Sequence, residues 1–355
     1  MNNKTCYCIG VMSGTSLDGV DVCYVRFNYG DTYDFEILKA TTYKYSTTWN
    51  LALQQAFSTH EKKLKELDID YGDYLGNLVN QFLDENDITK IDFIASHGHT
   101  IFHKPEEGYT LQIGNGQTIA DVTQLKVVCD FRTQDVKFGG QGAPLVPIGD
   151  KLLFYDYDYC LNLGGFVNVS FTEGNKLIAF DICPVNIVLN YYIHKLGFPF
   201  DNNGQKASTG KINKQLFEQL NALDFYHNKP PKSLGLEWVL EYVQPMIDSY
   251  HLDIQDVLRT FTEHVAFQIS KVIKEKSNIL ITGGGTFNKF LMQRIEFYLE
   301  QKIKLPSAEL IDFKEALIFA FLGLLRLRNE VNVLGSVTGA KKDHSSGVIF
   351  EPKEK

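Results

Sequence analysis

Hydrophobic and polar residues alternate along the first part of the chain in a pattern that predicts three successive strands, over residues 6–12, 20–29 and 34–45. The pattern then changes to the helical period. It predicts helices near residues 49–58 and over 74–84, and a strand over 91–97. The chain therefore opens with a β-β-β-α unit that is followed by a further helix and strand.

The same order of elements returns about half a chain later. Strands are predicted over residues 158–163, 166–172 and 176–181, and a helix over 185–196. An amphipathic helix (254–276), a short buried strand, three glycines and a new helix from about Asn288 follow, with another helix over 315–328. The two units show no obvious sequence identity, and their spacing is too long for a solenoid, so we interpret them as a duplicated domain core.

Two such units facing each other would place two glycine turns across one cleft, as in the actin-like, Hsp70-like and sugar-kinase ATPases. We therefore predict an α/β protein with a central cleft, a two-domain actin-like ATPase built on two ribonuclease-H-like β-β-β-α-β-α cores. The expected domain I covers residues 1–125 and about 311–355, and domain II covers 126–310.

The segment between the first two predicted strands, residues 10–21 with the sequence G-V-M-S-G-T-S-L-D-G-V-D, suits phosphate binding. Glycine lets the backbone approach a phosphate closely, and successive N–H groups with the hydroxyls of Thr15 and Ser16 can bind its oxygens. The Asp18 carboxylate can hold a hydrated Mg²⁺, which keeps several waters. An ordinary hairpin turn, with Asp18 in a local Asx motif, is the alternative interpretation.

A second glycine turn, Gly164-Gly165, separates the first two strands of the second unit, and a third, Gly283-Gly284-Gly285, precedes the helix from Asn288. The third turn could lie flat against a nucleotide at a helix N-terminus, although tight strand-to-helix turns often carry glycine for other reasons. The chain has no G-x-x-x-x-G-K-[ST] segment and no G-x-G-x-x-G after a strand. The sequence thus argues against P-loop and Rossmann enzymes.

Charge and composition narrow the classes of partner. A net charge of −8 argues against nucleic acid, and no apolar stretch approaches the 18 residues of a membrane span. The first residues lack the apolar core of a secretory signal. Six cysteines lie mostly in apolar strand-like runs without a C-x-x-C pair, so we expect reduced thiols and a cytoplasmic location.

These motifs together resemble the anhydro-N-acetylmuramic acid kinase family nearly from end to end. Residues 10–21 and the segment G-G-Q-G-A-P-L-V-P (139–147) are the most specific matches. Further matches are S-H-G-H-T (96–100), Q-I-G-N-G (112–116), D-F-R (130–132), N-L-G-G-F-V-N (162–168), T-G-G-G (282–285), E-A-L (315–317) and V-T-G-A (337–340).

The resemblance implies an ATP-dependent kinase of peptidoglycan recycling and amino-sugar catabolism. Such an enzyme opens the 1,6-anhydro bond with water and phosphorylates the released O6, giving N-acetylmuramic acid 6-phosphate and ADP. An internal acetal has no free hydroxyl at this position, so a base must activate water toward C1, while Mg²⁺ and backbone donors carry the phosphoryl charge. The implied cofactors are ATP and Mg²⁺, and the partner is a small sugar. Homodimer formation stays open.

The resemblance also assigns roles to individual residues. Asp181 takes the place of the catalytic base, and Asp18 would hold Mg²⁺ through water. The residues expected at ATP and its phosphates are Gly14, Thr15, Ser16, Leu17, Asp18, Gly19, Val20, Asp21, Gly164, Gly165, Gly283, Gly284, Gly285 and Asn288. The residues expected at the sugar are His97, Arg132, Gln141 and Glu315.

Some of these residues have simpler interpretations. Asp181 could cap the following helix, Arg132 could form a surface ion pair, and Glu315 could open a helix and serve only its dipole. His97, His99 and His103 have the spacing of a metal cluster on a strand. Because the family has Gln at position 99 and implies no transition metal, we expect His97 to hydrogen-bond within the cleft instead.

The chain departs from the family pattern in two segments. The motif D-T-G-P-G-N appears here as D-I-C-P-V-N (181–186), and P-K-S-T-G-R-E appears as P-K-S-L-G-L-E (231–237). Two other functions therefore stay open: another sugar or carboxylate kinase of the same fold, and a non-enzymatic ATP-driven interaction protein. Turnover of N-acetylmuramic acid against its 1,6-anhydro form would separate the kinases, since only the anhydro sugar requires hydrolysis.

Overall fold

A computed structural model of the protein describes residues 4–14, 17–174 and 176–354. The chain divides into two compact units, the first formed by Met1–Leu153 with Phe313–Lys355 and the second by Phe154–Asp312. The boundary expected after residue 125 differs from this division, since residues 126–153 belong to the first unit. Strand β6 (Val127–Cys129) explains the difference, because it pairs in parallel with β4 (Phe93–Lys104) of the first sheet.

The first unit contains a seven-stranded sheet in the order β11-β6-β4-β1-β2-β3, with β5 paired to β4. Neighbours β1 and β2, and β2 and β3, run antiparallel, whereas β1 and β4 are parallel. The remaining strands of this sheet are β1 (Lys4–Ser13), β2 (Val20–Tyr29), β3 (Tyr33–Tyr43), β5 (Tyr109–Ile113) and β11 (Val348–Phe350).

The helices of the first unit include one long helix, α2, whose buried side carries Tyr71, Leu75, Val79 and Phe82. These side chains pack with Ile9, Val22 and Ile94 of the sheet in one apolar core. The helices are α1 (Thr47–Gln55), α2 (Glu61–Glu85), α3 (Gly116–Thr123), α4 (Thr133–Lys137), α5 (Val146–Leu153) and α14 (Gly335–Thr338). Short 3₁₀ turns cover Ala56–Ser58 and Pro105–Glu107.

The second unit contains a four-stranded sheet in the order β10-β7-β8-β9. Its strands are β7 (Tyr159–Leu163), β8 (Phe166–Glu173), β9 (Lys176–Pro184) and β10 (Ile279–Thr282). Strands β7 and β8, and β8 and β9, run antiparallel, and β10 is parallel to β7. This arrangement repeats the order and directions of β4-β1-β2-β3 in the first unit, so the predicted duplication of the core is confirmed.

Helix α11 packs across the second unit and buries Phe261, Val265 and Ile269 against Leu161 and Val169 of the sheet. The helices are α6 (Asn186–His194), α7 (Gln205–Thr209), α8 (Lys214–Asn221), α9 (Leu236–Trp238), α10 (Gln244–Asp248), α11 (Ile254–Val272) and α12 (Lys289–Leu299). A π-helical turn (Val239–Val243) joins α9 to α10, and 3₁₀ turns cover Asn202–Gly204, Asp224–His227 and Gly284–Phe287.

Helix α13 (Ala308–Leu327) begins in the last residues of the second unit and continues into the first. Its backbone lies directly on β1, because a Cβ added to Gly10 would be 2.0 Å from the Ala316 carbonyl oxygen. All six cysteines are buried free thiols. No helix in the described part of the chain is long and apolar enough to cross a membrane.

Candidate active site

The first glycine turn connects β1 to β2, and the pairing of Ser13 with Val20 closes it. Inside the turn, the Leu17 N–H donates to the Gly14 carbonyl at 3.3 Å, and Leu17 has a φ of 60°. Gly19 is required here because a Cβ would lie 2.5 Å from the Tyr43 carbonyl oxygen. Thr15 and Ser16, which the sequence places at the phosphates, lie outside the described residues.

The end of the turn is anchored in the first unit. Val20 is fully buried in the core, and its predicted contact with ATP stays a prediction. The Asp21 carboxylate accepts a 2.6 Å hydrogen bond from the Thr42 hydroxyl on β3. Asp18, in contrast, is exposed. One exposed carboxylate on a turn suits a hydrated Mg²⁺, which binds few protein ligands directly.

The second and third glycine turns lie together where the parallel strands β7 and β10 of the second unit end. The Asn186 side-chain amide, at the start of α6, donates to the Leu163 carbonyl at 3.0 Å, and the Val185 N–H donates to the Gly165 carbonyl at 2.9 Å. A Cβ at Gly283 would lie 2.3 Å from the Asn162 amide oxygen. The carboxyl ends of parallel strands are the usual ligand-binding edge of an α/β sheet.

The glycines of these turns serve two different purposes. A Cβ at Gly165 would come no closer than 3.9 Å to another group, and one at Gly284 would meet nothing within 4 Å. Gly283 and Gly285 instead pack tightly on the end of β7, with Leu163 Cβ 2.8 Å from a Cβ at Gly285. The backbone of Gly165 and Gly284 is therefore open, whereas Gly283 and Gly285 are needed for packing. Gly164 has only ordinary contacts at 3.4 Å or more.

Asn288 is the N-cap of α12, and its side-chain oxygen accepts from the Leu291 N–H at 3.0 Å. This capping role accounts for the residue type at this position without a ligand. Its predicted contact with ATP stays a prediction.

Asp181 lies near the end of β9, beside a bulge in which Ile182 is the extra residue between the pairs Asn168–Asp181 and Val167–Cys183. One carboxylate oxygen accepts from the Leu234 N–H at 2.8 Å, and the Asp181 N–H donates to the Lys232 carbonyl at 3.0 Å. Burial raises the pKa of Asp181, which the Leu234 hydrogen bond partly offsets. The alternative interpretation as a helix cap is wrong, because Val185 occupies the N-cap of α6.

The half-buried Arg132 and the buried His97 form a hydrogen-bonded pair in the first unit. The Arg132 Nε–H donates to His97 Nε2 at 3.0 Å, and His97 Nδ1 lies 2.9 Å from the Gly98 carbonyl oxygen. Burial and the nearby Arg132 charge hold the pKa of His97 well below its usual value, so the ring is neutral and donates through Nδ1. Both ring nitrogens of His97 are therefore engaged within the protein. The half-buried Arg132 binds a buried histidine through Nε, which does not fit the surface ion pair considered for it.

Glu315 lies in the middle of α13, not at its start, so the interpretation as a partner of the helix dipole is wrong. Burial raises the pKa of Glu315, whereas Lys314 and Arg132 lower it. The adjacent Lys314 forms a buried ion pair with Asp150 at 2.8 Å. Glu315 thus interacts electrostatically with Arg132, Lys314 and Asp150.

Gln141 has an exposed side chain, and its N–H donates to the Thr338 carbonyl at 2.8 Å. Its loop is organised by Asp135, which the sequence interpretation missed. The fully buried Asp135 carboxylate accepts from the Gly142 N–H and the Thr338 hydroxyl, both at 2.7 Å. A buried carboxylate that binds one loop to another is recognisable only once the two segments, 139–142 and 337–340, are known to meet.

The three histidines of the β4 region do not form a metal site. His97 contacts Arg132, and His99 Nδ1 lies 2.9 Å from the Ser13 hydroxyl. Gly98, with a φ of 72°, separates the two. Across residues 4–14, 17–174 and 176–354, no group of three His, Cys, Asp or Glu side chains could hold a metal ion.

The family model for anhydro-N-acetylmuramic acid kinase matches residues 6–352. The chain belongs to the anhydro-N-acetylmuramic acid kinase family. Among relatives with this name, the protein of Shewanella putrefaciens is 35% identical, over 99% of this chain and 100% of its own length. The Francisella tularensis subsp. novicida protein is 34% identical, over 94% of this chain and 96% of its own length. The Sulfurimonas denitrificans protein is 31% identical, over 97% of this chain and 99% of its own length.

Two solved sugar kinases resemble this member of the anhydro-N-acetylmuramic acid kinase family at low sequence identity. A gluconate kinase from Lactobacillus acidophilus is 12% identical with a TM-score of 0.42, over 99% of this chain and 94% of its own. A ROK family glucokinase from Streptomyces griseus, in complex with glucose and AMPPNP, is 11% identical with a TM-score of 0.39, over 89% and 98%.

The structure gives a physical account of the first departure from the anhydro-N-acetylmuramic acid kinase pattern. Ile182, Cys183 and Val185, which replace a threonine and two glycines, are buried in the core of the second unit. The second departure lies beside it, because the segment carrying Leu234 holds the Asp181 carboxylate. Leu234 serves Asp181 through its backbone N–H, which does not depend on the side chain that replaced threonine. The exposed Leu236, in place of arginine, has no structural explanation.

Proposed function

We propose that the protein uses ATP and water to convert 1,6-anhydro-N-acetylmuramic acid into N-acetylmuramic acid 6-phosphate and ADP. Water attacks C1, the C1–O6 bond breaks, and O6 bonds to the γ-phosphorus as the bond to ADP breaks. The proton of the attacking water passes to a base and then to solvent. Full-length similarity to the kinase family supports this reaction.

We assign the base to Asp181. Its Oδ2 accepts from the Leu234 N–H, and within the described residues its Oδ1 has no hydrogen-bond partner. One oxygen is therefore fixed while the other can accept a proton from water. Burial raises the pKa of the carboxyl and makes it a stronger base than an exposed aspartate. This half-buried, oriented carboxylate is the observation that carries the proposal.

We assign nucleotide binding to the glycine turns. In the first unit the β1–β2 turn would hold phosphates through its backbone, with Asp18 on Mg²⁺ through water. In the second unit the open backbone at Gly165 and Gly284 is the part of the turns that suits a nucleotide. Bound Mg²⁺ would neutralise charge on the transferred phosphoryl group. These roles need no further metal ligand.

We assign sugar recognition to Arg132 and Glu315. Because Arg132 donates to His97 through Nε, its two terminal amino groups are directed away from this bond and suit a carboxylate or phosphate. The lactyl carboxylate of N-acetylmuramic acid is such a group. Gln141 lies on a loop fixed by Asp135 and would add a polar contact. We also place the reaction in the cytoplasm, which the six reduced thiols support.

The proposal is tested by turnover in ¹⁸O-labelled water with the anhydro sugar, ATP and Mg²⁺. We expect one ¹⁸O at C1 of the 6-phosphate product and one ADP for each sugar consumed. N-acetylmuramic acid itself, whose O6 is already a free hydroxyl, is the control substrate. Equal turnover of the two sugars, or a product without label at C1, would favour an ordinary sugar kinase.

A further inference from the structure

We propose that a buried ring of three hydroxyl groups, those of Ser13, Tyr45 and Tyr71, together with His99, positions the β1–β2 turn for nucleotide binding. The inference rests on the proposed use of ATP. The Ser13 hydroxyl oxygen lies 2.6 Å from the Tyr45 hydroxyl, 2.7 Å from the Tyr71 hydroxyl and 2.9 Å from His99 Nδ1. The two tyrosine hydroxyls are 2.6 Å apart.

A count of hydrogen atoms fixes the direction of the bond between His99 and Ser13, whichever way the hydroxyls donate around the ring. The four contacts each need one hydrogen, but three hydroxyl groups supply only three. The fourth hydrogen therefore comes from His99, which donates through Nδ1 to Ser13. The three hydroxyls then donate around the ring, each accepting one bond from the previous member. Burial lowers the pKa of His99 to about 4, so its imidazole is neutral at pH 7. The single N–H hydrogen of this neutral imidazole is then the one on Nδ1 that Ser13 accepts.

The hydroxyl ring joins four segments of the first unit at the point where the turn begins. Ser13 is the last residue of β1, Tyr45 follows β3, Tyr71 belongs to α2 and His99 to β4. All four side chains are buried, with Tyr45 the most accessible at 8%. Trp49 packs edge-on against Tyr71 with ring centres 5.3 Å apart. A lost member would leave a buried polar group without its partner.

The ring also defines what Ser13 cannot do. Its single hydrogen is used within the ring, and both lone pairs accept bonds, so its hydroxyl has no hydrogen left for a phosphate. Ser13 is thus a positioning residue that holds the backbone immediately before Gly14. The competent turn conformation is selected before ATP arrives, and a less populated conformation would raise the apparent Kd in proportion.

The test compares Tyr71→Phe with Tyr24→Phe. Tyr24 is also a buried tyrosine of the first unit, and it lies on β2 four residues beyond Val20, where the turn ends. Its hydroxyl donates to the Lys90 carbonyl at 2.9 Å. We expect both variants to lose thermal stability. We expect Tyr71→Phe alone to raise the Kd and KM for ATP, by about tenfold, with little change in the KM for the sugar. If Tyr71→Phe does not fold, the same comparison is made with Tyr45→Phe, which removes another hydroxyl of the ring.

Two further variants examine the hydrogen count. His99→Gln, whose amide N–H can donate to Ser13, should keep ATP affinity near wild type, whereas His99→Leu should lose it as Tyr71→Phe does. Ser13→Ala combined with Tyr71→Phe should cost no more than the larger single change, because the ring is one unit. Wild-type ATP affinity in Tyr71→Phe and His99→Leu would overturn the inference. A wild-type protein that binds no ATP would instead overturn the proposed function.

Discussion

At the scale of single residues, the role of a polar side chain depends on which of its atoms already have partners. The sequence places His97 at the sugar, but both nitrogens of its ring are engaged, with Arg132 and with the Gly98 carbonyl. We therefore expect any effect of His97 on a ligand to pass through Arg132. Asp181 has one oxygen tied to the Leu234 N–H and a second that can take a proton.

Replacing Asp181 by asparagine keeps the role of the first oxygen and removes the role of the second. The amide oxygen of Asp181→Asn can still accept from Leu234, but no group remains to take a proton from water. We expect turnover to fall at least about 100-fold, the lower bound for a general base. Because the wild-type charge is buried, the melting temperature should stay equal or rise. Steady-state kinetics and thermal unfolding measure the two effects.

The control for this prediction is Asp181→Ala, which also breaks the bond to the 231–237 segment and should lower stability. Wild-type activity should fall as pH drops through the raised pKa of Asp181, because protonation removes the base. The asparagine variant should lack this acidic limb. Retention of more than about a tenth of wild-type turnover would exclude Asp181 as the base.

Arg132→Lys tests the orientation of the guanidinium group. Lysine cannot donate to His97 through one nitrogen while presenting two others to a planar anion. We expect the KM for the sugar to rise about tenfold, the effect of one charged hydrogen bond, with the Kd for ATP unchanged. The matched control is Arg328→Lys, whose ion pair with Glu330 lies in the same unit. An equal effect of both changes would argue against a sugar contact.

At the scale of helices and strands, the alternation of apolar and polar residues predicted the bounds of strands well where the strand has regularly buried positions. Strand β2 has its predicted bounds, 20–29, and β1 and β3 differ only at their ends. Helix α2 begins at Glu61 rather than near Tyr74, because its first turns bear few buried residues and give little periodic signal. Helix α13 likewise begins at Ala308, which moves Glu315 into its interior.

The contacts between distant segments were beyond sequence interpretation. The motifs around Asp18, Asp181 and Gly283 follow from local spacing and family resemblance. The bond from Leu234 to Asp181 and the hydroxyl ring at Ser13 do not, because they depend on segments that meet only in the folded chain. Their residue types, a backbone N–H and ordinary tyrosines, carry no pattern of their own.

The two kinds of glycine in the third turn predict opposite consequences for neighbouring substitutions. Gly285→Ala would place a methyl group 2.8 Å from Leu163, and we expect a loss of about 1–3 kcal/mol in stability. Gly284→Ala meets nothing within 4 Å, so stability should hold while ATP binding weakens. Urea unfolding and equilibrium ATP binding on both variants measure this. Normal ATP affinity in a stable Gly284→Ala would remove this turn from the nucleotide site.

At the scale of the whole molecule, burial of neutral histidines couples stability to pH. Burial lowers the pKa of His99 to about 4 and of His264 to about 3, and lowers that of His97 well below its usual value. The unfolded chain binds a proton at each position below about pH 6.5, whereas the folded chain does not. Stability is therefore complete above this pH and falls as the solution becomes more acidic.

We expect each of these histidines to cost about 1.4 kcal/mol of stability for every pH unit between its unfolded and folded pKa. For His99 this window runs from about 6.5 to 4. The raised pKa values of Asp181 and Glu315 act in the opposite direction, because their folded forms bind protons more readily. Urea unfolding between pH 4 and 8 measures the slope, and His264→Gln should reduce it. A slope that is flat below about pH 6.5 would contradict the assignment of neutral histidines.

The six buried thiols allow local unfolding of the protein to be measured by their chemical modification. Cys6, Cys8, Cys23 and Cys129 belong to the first unit, and Cys160 and Cys183 to the second. A colourless disulfide reagent that releases a coloured thiolate can modify them only when their surroundings open. The number of thiols modified in each kinetic phase, read by mass spectrometry, would therefore give the lifetime of each unit separately, without an added dye. ATP should slow modification in each unit whose glycine turns bind it, so the two sets of thiols test the proposed turns of each unit independently.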